Sequence, residues 1–522
     1  MKEPLTKARY LSYFQDKSAI LLRKMSVPWI PYDSSWISIG TAAVVACVVV
    51  GIASASAIFY APILWAAIRL QATRDMPPLP PGKIGIPYLG ESLDYMRSWS
   101  NLHSLDMWYD TRKAKHGGIF KTHILGKPTV VMLGAEANKF ILTNEDKLFR
   151  NLWPKSLRVL IGKHSMTSSQ GDDHRRVRRI IHSVLGIENL KKSVARFERL
   201  VLQHLDSEWR SGHVIYAHNK LREMALCVAT EYFMGLRAGE ELESFTQNYY
   251  DLNKGLLSHP LDLPWTVFGK AKRARVAIVA QIAKQIHLRK NSLGKRGEEE
   301  ENFLDMVLRA QKEGGEFCLS DEEIIDNLLG FLIGGFDTTA SALATVLKHL
   351  SLSPHVLQRL RKDCEKLRDS KEVEERLTWN EIKSVKFMSN VVAEGMRIVP
   401  PINGGFKEAK IDIPYGGYTI PKGWKVHFSM RQTSNTEEYF RSPEKFFPDR
   451  FNEPQEPFSY IPFGQGNRMC PGNEFAKIEM EIFLYHLVLR YNWELVEVDE
   501  PISISFTSQP THGLPLMLRS VA

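Results

Sequence analysis

Cysteine is scarce in this chain. Cys47, Cys227, Cys318, Cys364 and Cys470 are the five among 522 residues, odd in number, scattered and never in CxxC spacing. That excludes a disulfide framework and a zinc ribbon, and suits a reducing compartment. No internal repeat stands out, which excludes solenoids and propellers. Charge is missing from one long stretch, between Ser34 and Ile68. Its densest apolar part, Trp36 to Tyr60, exceeds the roughly 20 residues a helix needs to cross a bilayer, so residues 36–60 read as a single membrane span. Trp36, Tyr60 and Trp65 suit interfacial positions. The run is too long and too far from Met1 for a cleaved signal peptide, and Glu3 and Asp16 argue against an organelle transit peptide. The net charge of +9 comes without a nucleic-acid motif or an aromatic-interleaved basic patch, so no nucleic acid is expected as a partner.

Pro77-Pro78-Leu79-Pro80-Pro81-Gly82 follows and reads as a stiff polyproline-II linker. The chain thus divides into an N-terminal segment with its anchor, residues 1–75, and a main domain, residues 76–522. Length alone suggests more domains. The motifs below instead address one bound group from both ends of the domain, which argues for one unit. Phe120 to Leu133 and Ile413 to Val426 look strand-like, whereas Leu190 to Trp209 and Phe475 to Tyr491 have helical periodicity. The run Glu298 to Glu301 reads as a solvated loop between helices. The expected fold class is mainly α with a small β region.

The most informative stretch is Phe463-Gly464-Gln465-Gly466-Asn467-Arg468-Met469-Cys470-Pro471-Gly472. A thiolate offered to haem iron needs glycines beside it so that backbone N–H groups approach the sulfur, and Gly466 and Gly472 meet that need. Arg468 stands close enough to pair with a haem propionate. With Phe463, these positions make Cys470 a candidate axial ligand to haem iron. Upstream, Ser320 and Glu323 form a capping box that opens a long apolar helix. It carries Gly334-Gly335-Phe336-Asp337-Thr338-Thr339, and a glycine pair there weakens a helix without an evident local reason. A third motif, Glu394-Gly395-Met396-Arg397, lies on a segment opening at the capping box Thr378 and Glu381 and ending before Pro400-Pro401. A fourth is Phe446-Phe447-Pro448-Asp449-Arg450-Phe451.

These motifs, in this order, resemble the cytochrome P-450 family from about Pro77 to the C-terminus. The resemblance implies a haem-thiolate monooxygenase of the cytochrome P-450 fold that carries haem b. It implies that the glycine pair lets the helix pass close over the haem, with Asp337 and Thr338 as the acid–alcohol pair that delivers protons during oxygen activation. Glu394, Arg397 and Arg450 become a buried network that supports the cysteine loop. In Gly171-Asp172-Asp173-His174-Arg175-Arg176-Val177-Arg178, the residues His174 and Arg178 share a helix face and look like haem-propionate partners. The implied partners are an NADPH-cytochrome P-450 reductase, O2, a lipophilic substrate and a membrane, with Lys477, Arg175 and Arg179 as basic residues to steer an acidic reductase. The expected location is the endoplasmic reticulum, the catalytic domain facing the cytosol. The positive charges before the span (Lys2, Lys7, Arg9, Lys17, Arg23, Lys24) outnumber those after it (Arg69, Arg74, Lys83), which by charge alone favours a cytosolic N-terminus. The need for electron supply favours the family's orientation.

By family position the pocket draws on Leu157 to Ser169, Leu256 to Phe268, Leu329 to Phe336, Ile402 to Phe406 and Ser505 to Thr511, mostly apolar segments that suit a lipophilic polycycle. Local stretches are similar to the plant clan of terpenoid, sterol and hormone oxidases, nearest in look to β-amyrin-type triterpene oxidases and taxane hydroxylases. The expected substrate is a cyclic terpenoid. Gibberellin, abscisic acid and brassinosteroid oxidation form the alternative; a haem-thiolate isomerase or dehydratase and a non-catalytic haem-binding membrane protein are opposed by Asp337 and Thr338. Two departures stand out: Thr433-Ser434-Asn435-Thr436 replaces His-Arg-Asn/Asp-Pro, and Lys407 stands where relatives often have arginine.

Overall fold

The computed structural model describes residues 44–51, 54, 56–57, 60–61, 63–64, 76–85, 89–237, 239–293, 301–314, 318–372 and 375–521. The chain divides into two units, Met1–Pro62 and Ile63–Ala522. In the first, every described residue is helical, and Val44, Val45, Val48, Val49 and Val50 are all exposed. The expected span's first residues, 36–43, lie outside the described residues, as do Trp65 and the basic residues flanking it other than Lys83.

The second unit is mainly helical with a small β region. The helices that build the site are α1 (Gly171–Val184), α2 (Ala217–Met234), α3 (Glu240–Gly255), α4 (Val267–Ser292), α5 (Asp321–Leu352), α6 (Lys386–Ile398) and α7 (Asn473–Arg490). At the centre is α5. Its 32 residues span about 48 Å, and it packs against α2, α4, α6 and α7. Among the described residues it is the one helix apolar and long enough to cross a membrane, yet 72% of that window is buried inside the unit, so it is a core helix. Ser320 starts it with the expected reciprocal capping box to Glu323.

A five-stranded sheet flanks the helices, formed by β1 (Ile119–Ile124), β2 (Lys127–Met132), β3 (Phe149–Asn151), β4 (Gly404–Ala409) and β5 (Lys425–Ser429) in the order β1-β2-β5-β4-β3. Only β2 and β5 run parallel. The hairpin β1–β2 turns at Leu125 and Gly126, both at positive φ as a primed turn requires. The proline segment is strapped to this region: Pro78 O accepts from Thr419 N at 2.9 Å, Pro77 O from Thr419 Oγ1 at 2.6 Å, and Pro81 O from Lys121 N at 2.7 Å.

One expected segment is divided. The capping box of Thr378 and Glu381 opens only the short helix Trp379–Ser384, and α6 starts afresh at Lys386. The break is at Val385, whose N–H closes a tight turn on Ile382 O and whose ψ of 70° leaves the helical region.

Candidate functional site

Cys470 sits in a loop that folds on itself before α7. Its N–H donates to Phe463 O at 2.8 Å, and the loop reverses direction at Gly464 and Gly466, with φ of 68° and 76°. A Cβ at Gly466 would fall 2.5 Å from Leu142 O, so this glycine is needed for the loop to lie against the helix Ala135–Thr143. Desolvation pushes the Cys470 thiol up, opposed by a backbone hydrogen bond from Gly472 and by the charge of Arg178. Those two groups alone leave the thiol above its ordinary range; a bound cation would complete its ionisation. All five cysteines are free.

The basic residues close around this loop. Arg178 on α1 donates to Met469 O at 2.7 Å, and Arg468 donates to Ser169 O at 2.8 Å and Gln170 Oε1 at 3.3 Å. His174 is buried and held near a pKa of about 4, by desolvation first and then by the charges of Arg468 and Arg178, so it is neutral at pH 7. Its Nδ1 and the Nε1 of Trp153 are buried without a hydrogen-bond partner, and the Nε of Arg468 faces only the Glu145 carboxylate, 3.3 Å away. Such orphaned donors fit an acceptor-rich group such as haem propionates. Lys407 instead meets Glu145 at 2.5 Å and Asn151 Oδ1 at 3.1 Å. Arg175 and Lys477 each pair with an acid three residues earlier on the same helix, Asp172 and Glu474.

Support for the loop is wholly internal. Glu394 and Arg397 are both 0% exposed, and the carboxylate takes Arg397 Nε at 2.8 Å, Arg450 Nε at 3.0 Å and Phe447 N at 2.9 Å. Arg397 goes on to Ser434 O at 2.9 Å and Pro443 O at 2.8 Å. The divergent tetrapeptide serves this network: Ser434 Oγ and Asn435 Nδ2 both donate to Arg397 O at 3.0 Å.

On α5 the helix runs unbroken through the glycine pair. Gly334 is exposed and Gly335 half-buried, between buried Ile333 and Phe336, and a Cβ at either glycine would meet no atom within 4 Å, so a flat ligand has access to the backbone there. Thr338 Oγ1 donates to Gly334 O at 2.6 Å. Asp337 turns elsewhere: Oδ1 accepts from Arg222 Nε of α2 at 2.7 Å and Oδ2 from Asn253 Nδ2 of α3. Burial pushes its carboxyl above the ordinary value, while the Arg222 charge and the two hydrogen bonds oppose that rise. Arg222 also lies 4.9 Å from the rings of both Tyr250 and Phe336. Asp337 and Thr338 are therefore chain neighbours that bond to different partners.

The pocket segments converge on α5. His164 N and Met166 N donate to Asp326 and Asn327 at 3.0 and 2.7 Å, Thr507 Oγ1 meets Ser341 Oγ at 3.2 Å, and Asn403 Nδ2 reaches Ser508 Oγ at 2.8 Å. Leu256 to Phe268 differs from expectation. Its ends are buried, but Leu257, Leu261 and Trp265 are 41%, 52% and 72% exposed, because Pro260 and Pro264 prevent α3 from continuing and lead the chain outward. Sequence reasoning missed Arg222, Asn253, Trp153 and Glu145.

The Cytochrome P450 family model matches residues 80–516. A β-amyrin 28-monooxygenase of Solanum lycopersicum is 35% identical over 442 residues, covering 84% of this chain and 92% of that protein. A second relative, from Saponaria officinalis and of the same name, is 33% identical over 444 residues, 84% of this chain and 91% of that protein. An abscisic acid 8'-hydroxylase of Solanum lycopersicum is also 35% identical over 442 residues, 84% of this chain and 90% of that protein. Among solved structures, the retinoic acid bound cyanobacterial CYP120A1 superposes with a TM-score of 0.76 at 30% identity, over 86% of this chain and all (100%) of that one.

Proposed function

This chain belongs to the cytochrome P450 family and is a monooxygenase that carries haem b, and from that premise we propose that it hydroxylates a C–H bond of a cyclic terpenoid, a triterpenoid first. The observation that carries the substrate class is the kinship to β-amyrin 28-monooxygenases along most of the chain. Apolar side chains on the segments tied to α5, including Leu160, Leu332 and Phe406, support it.

The bound haem supplies the oxidising chemistry, with O2 and electrons from a redox partner. The chain's own residues do the rest. Cys470 would hold the haem iron through its sulfur, with the Gly472 N–H and Arg178 tempering the basicity of the thiolate. Arg468, His174 and Trp153 would hold the propionates. Thr338 hydroxyl, at the exposed Gly334 turn, passes a proton towards the haem face, and Asp337 replenishes it when its hold on Arg222 and Asn253 relaxes. Residues 1–75 tether a catalytic domain of 76–522 to the endoplasmic reticulum membrane, facing the cytosol. The exposed valines of the N-terminal helix support that tether. An NADPH-dependent reductase is the electron donor.

The test is turnover in microsomes that contain the chain and a plant reductase. β-Amyrin should convert the haem to high spin and yield a product heavier by one oxygen in mass spectrometry. Abscisic acid is the second reading, because a relative of that name is equally identical. Oxidation of abscisic acid with no turnover of any triterpene would replace the first reading by the second.

A further inference from the structure

The cations around the Cys470 loop share a resident carboxylate. Glu145 follows the helix Ala135–Thr143, is fully buried, and sets Oε1 2.5 Å from Lys407 Nζ and 3.3 Å from Arg468 Nε. Its Oε2 has no hydrogen-bond partner. The three side chains come from separate parts of the chain: a turn, strand β4 and the cysteine loop. Lys407 is steadied by Asn151, its opposite residue in the β3–β4 register.

Buried charges persist only when they are paired. Glu145 cancels one of the two cations it touches, and Arg178, whose charge reaches Arg468, adds another. Asp146 lies 3.9 Å from Arg175, which also pairs with the exposed Asp172, and His174 is neutral. The cations Lys407, Arg468 and Arg178 thus outnumber the carboxylate of Glu145, and two haem propionates would take up the excess. Were Glu145 uncharged, the ensemble would carry one more positive charge beside the propionates, and reduction of the iron would be easier.

We propose that Glu145 is the permanent counter-ion of the propionate site: it aligns Lys407 and Arg468 and keeps the haem harder to reduce. This rests on the reading of Cys470 as haem ligand. The test uses the full-length haem-loaded protein in detergent and a spectroscopic redox titration. Glu145→Gln should shift the ferric/ferrous midpoint upward, Lys407→Gln should shift it downward, and the double variant should return it to the wild-type value. The double variant also decides the matter if Glu145→Gln fails to retain haem, because a merely structural role predicts that it is worse than either single variant. An unchanged midpoint in Glu145→Gln, or a double variant that neither holds haem nor recovers the midpoint, overturns the proposal. The two readings fail separately, since a wrong ligand shows in the wild type as absence of the red-shifted carbon monoxide band.

Discussion

On the Cys470 side, Arg397, Arg178 and Arg468 each donate to main-chain carbonyls, those of Ser434, Met469 and Ser169 among them. On the α5 side, both bonds to Asp337 come from side chains, Arg222 and Asn253, carried by two other helices. A guanidinium bound to carbonyls of the loop it supports has no low-cost alternative, because each carbonyl it leaves becomes a buried unpaired acceptor. A carboxylate held by side chains exchanges partners when a helix shifts. The side proposed to hold the iron is thus fixed, and the side proposed to move protons is adjustable.

Breaking the fixed side should have the largest effect. Arg397→Ala takes one of the two guanidinium partners from the buried Glu394 carboxylate and leaves the Ser434 and Pro443 carbonyls without their donor, at a loss of about 3–5 kcal/mol, and should give little folded, haem-containing protein by absorbance and thermal melting. Cys470→Ala should fold more readily, but lose the red-shifted carbon monoxide band and all product; a persisting band would mean another ligand. On the adjustable side, Thr338→Ala should keep the fold and the haem spectrum yet divert oxygen to peroxide, read as product formed per NADPH consumed. Arg222→Gln should act more mildly, leaving the thiolate band and changing the pH profile of coupling. If Arg222→Gln unfolded the chain as Arg397→Ala does, the contrast between the sides would be lost.

The smallest effect concerns acid. His349 of α5 stacks on Phe446 at 5.2 Å, where α5 meets the Arg397 network. Desolvation first, then the charges of Lys348 and Arg397, hold it near about 4 rather than 6.5. A depressed value means the folded state prefers neutral imidazole: its stability is present above pH 6.5 and is lost as pH falls towards 4, by at most about 3 kcal/mol. His349→Phe should keep the stack and flatten the loss of urea stability over that pH window.

The fixed side was legible in the sequence for the reason that makes it fixed. Glu394 and Arg397 are one helical turn apart, and the cysteine loop is a contiguous string whose glycines are required by its own backbone. The capping boxes were legible likewise, being local bonds. The partners of Asp337 lie 115 and 84 residues away, and nothing near Arg222 or Asn253 signals a carboxylate. Glu145 sits in Asn144-Glu145-Asp146-Lys147, which reads as a solvated turn until the sheet sets Lys407 against it. The outward course of 256–268 follows from two prolines whose effect on direction, unlike their effect on helix continuity, depends on what the chain packs against.

The strapped prolines also have a mechanical meaning. A segment bonded at Pro77, Pro78 and Pro81 to Thr419 and Lys121 is loaded in shear when pulled along its length, so several hydrogen bonds resist together instead of peeling one at a time. Lateral tugging on the proposed N-terminal tether would then be absorbed at the β1 hairpin and Thr419, leaving the helices around Cys470 unstrained.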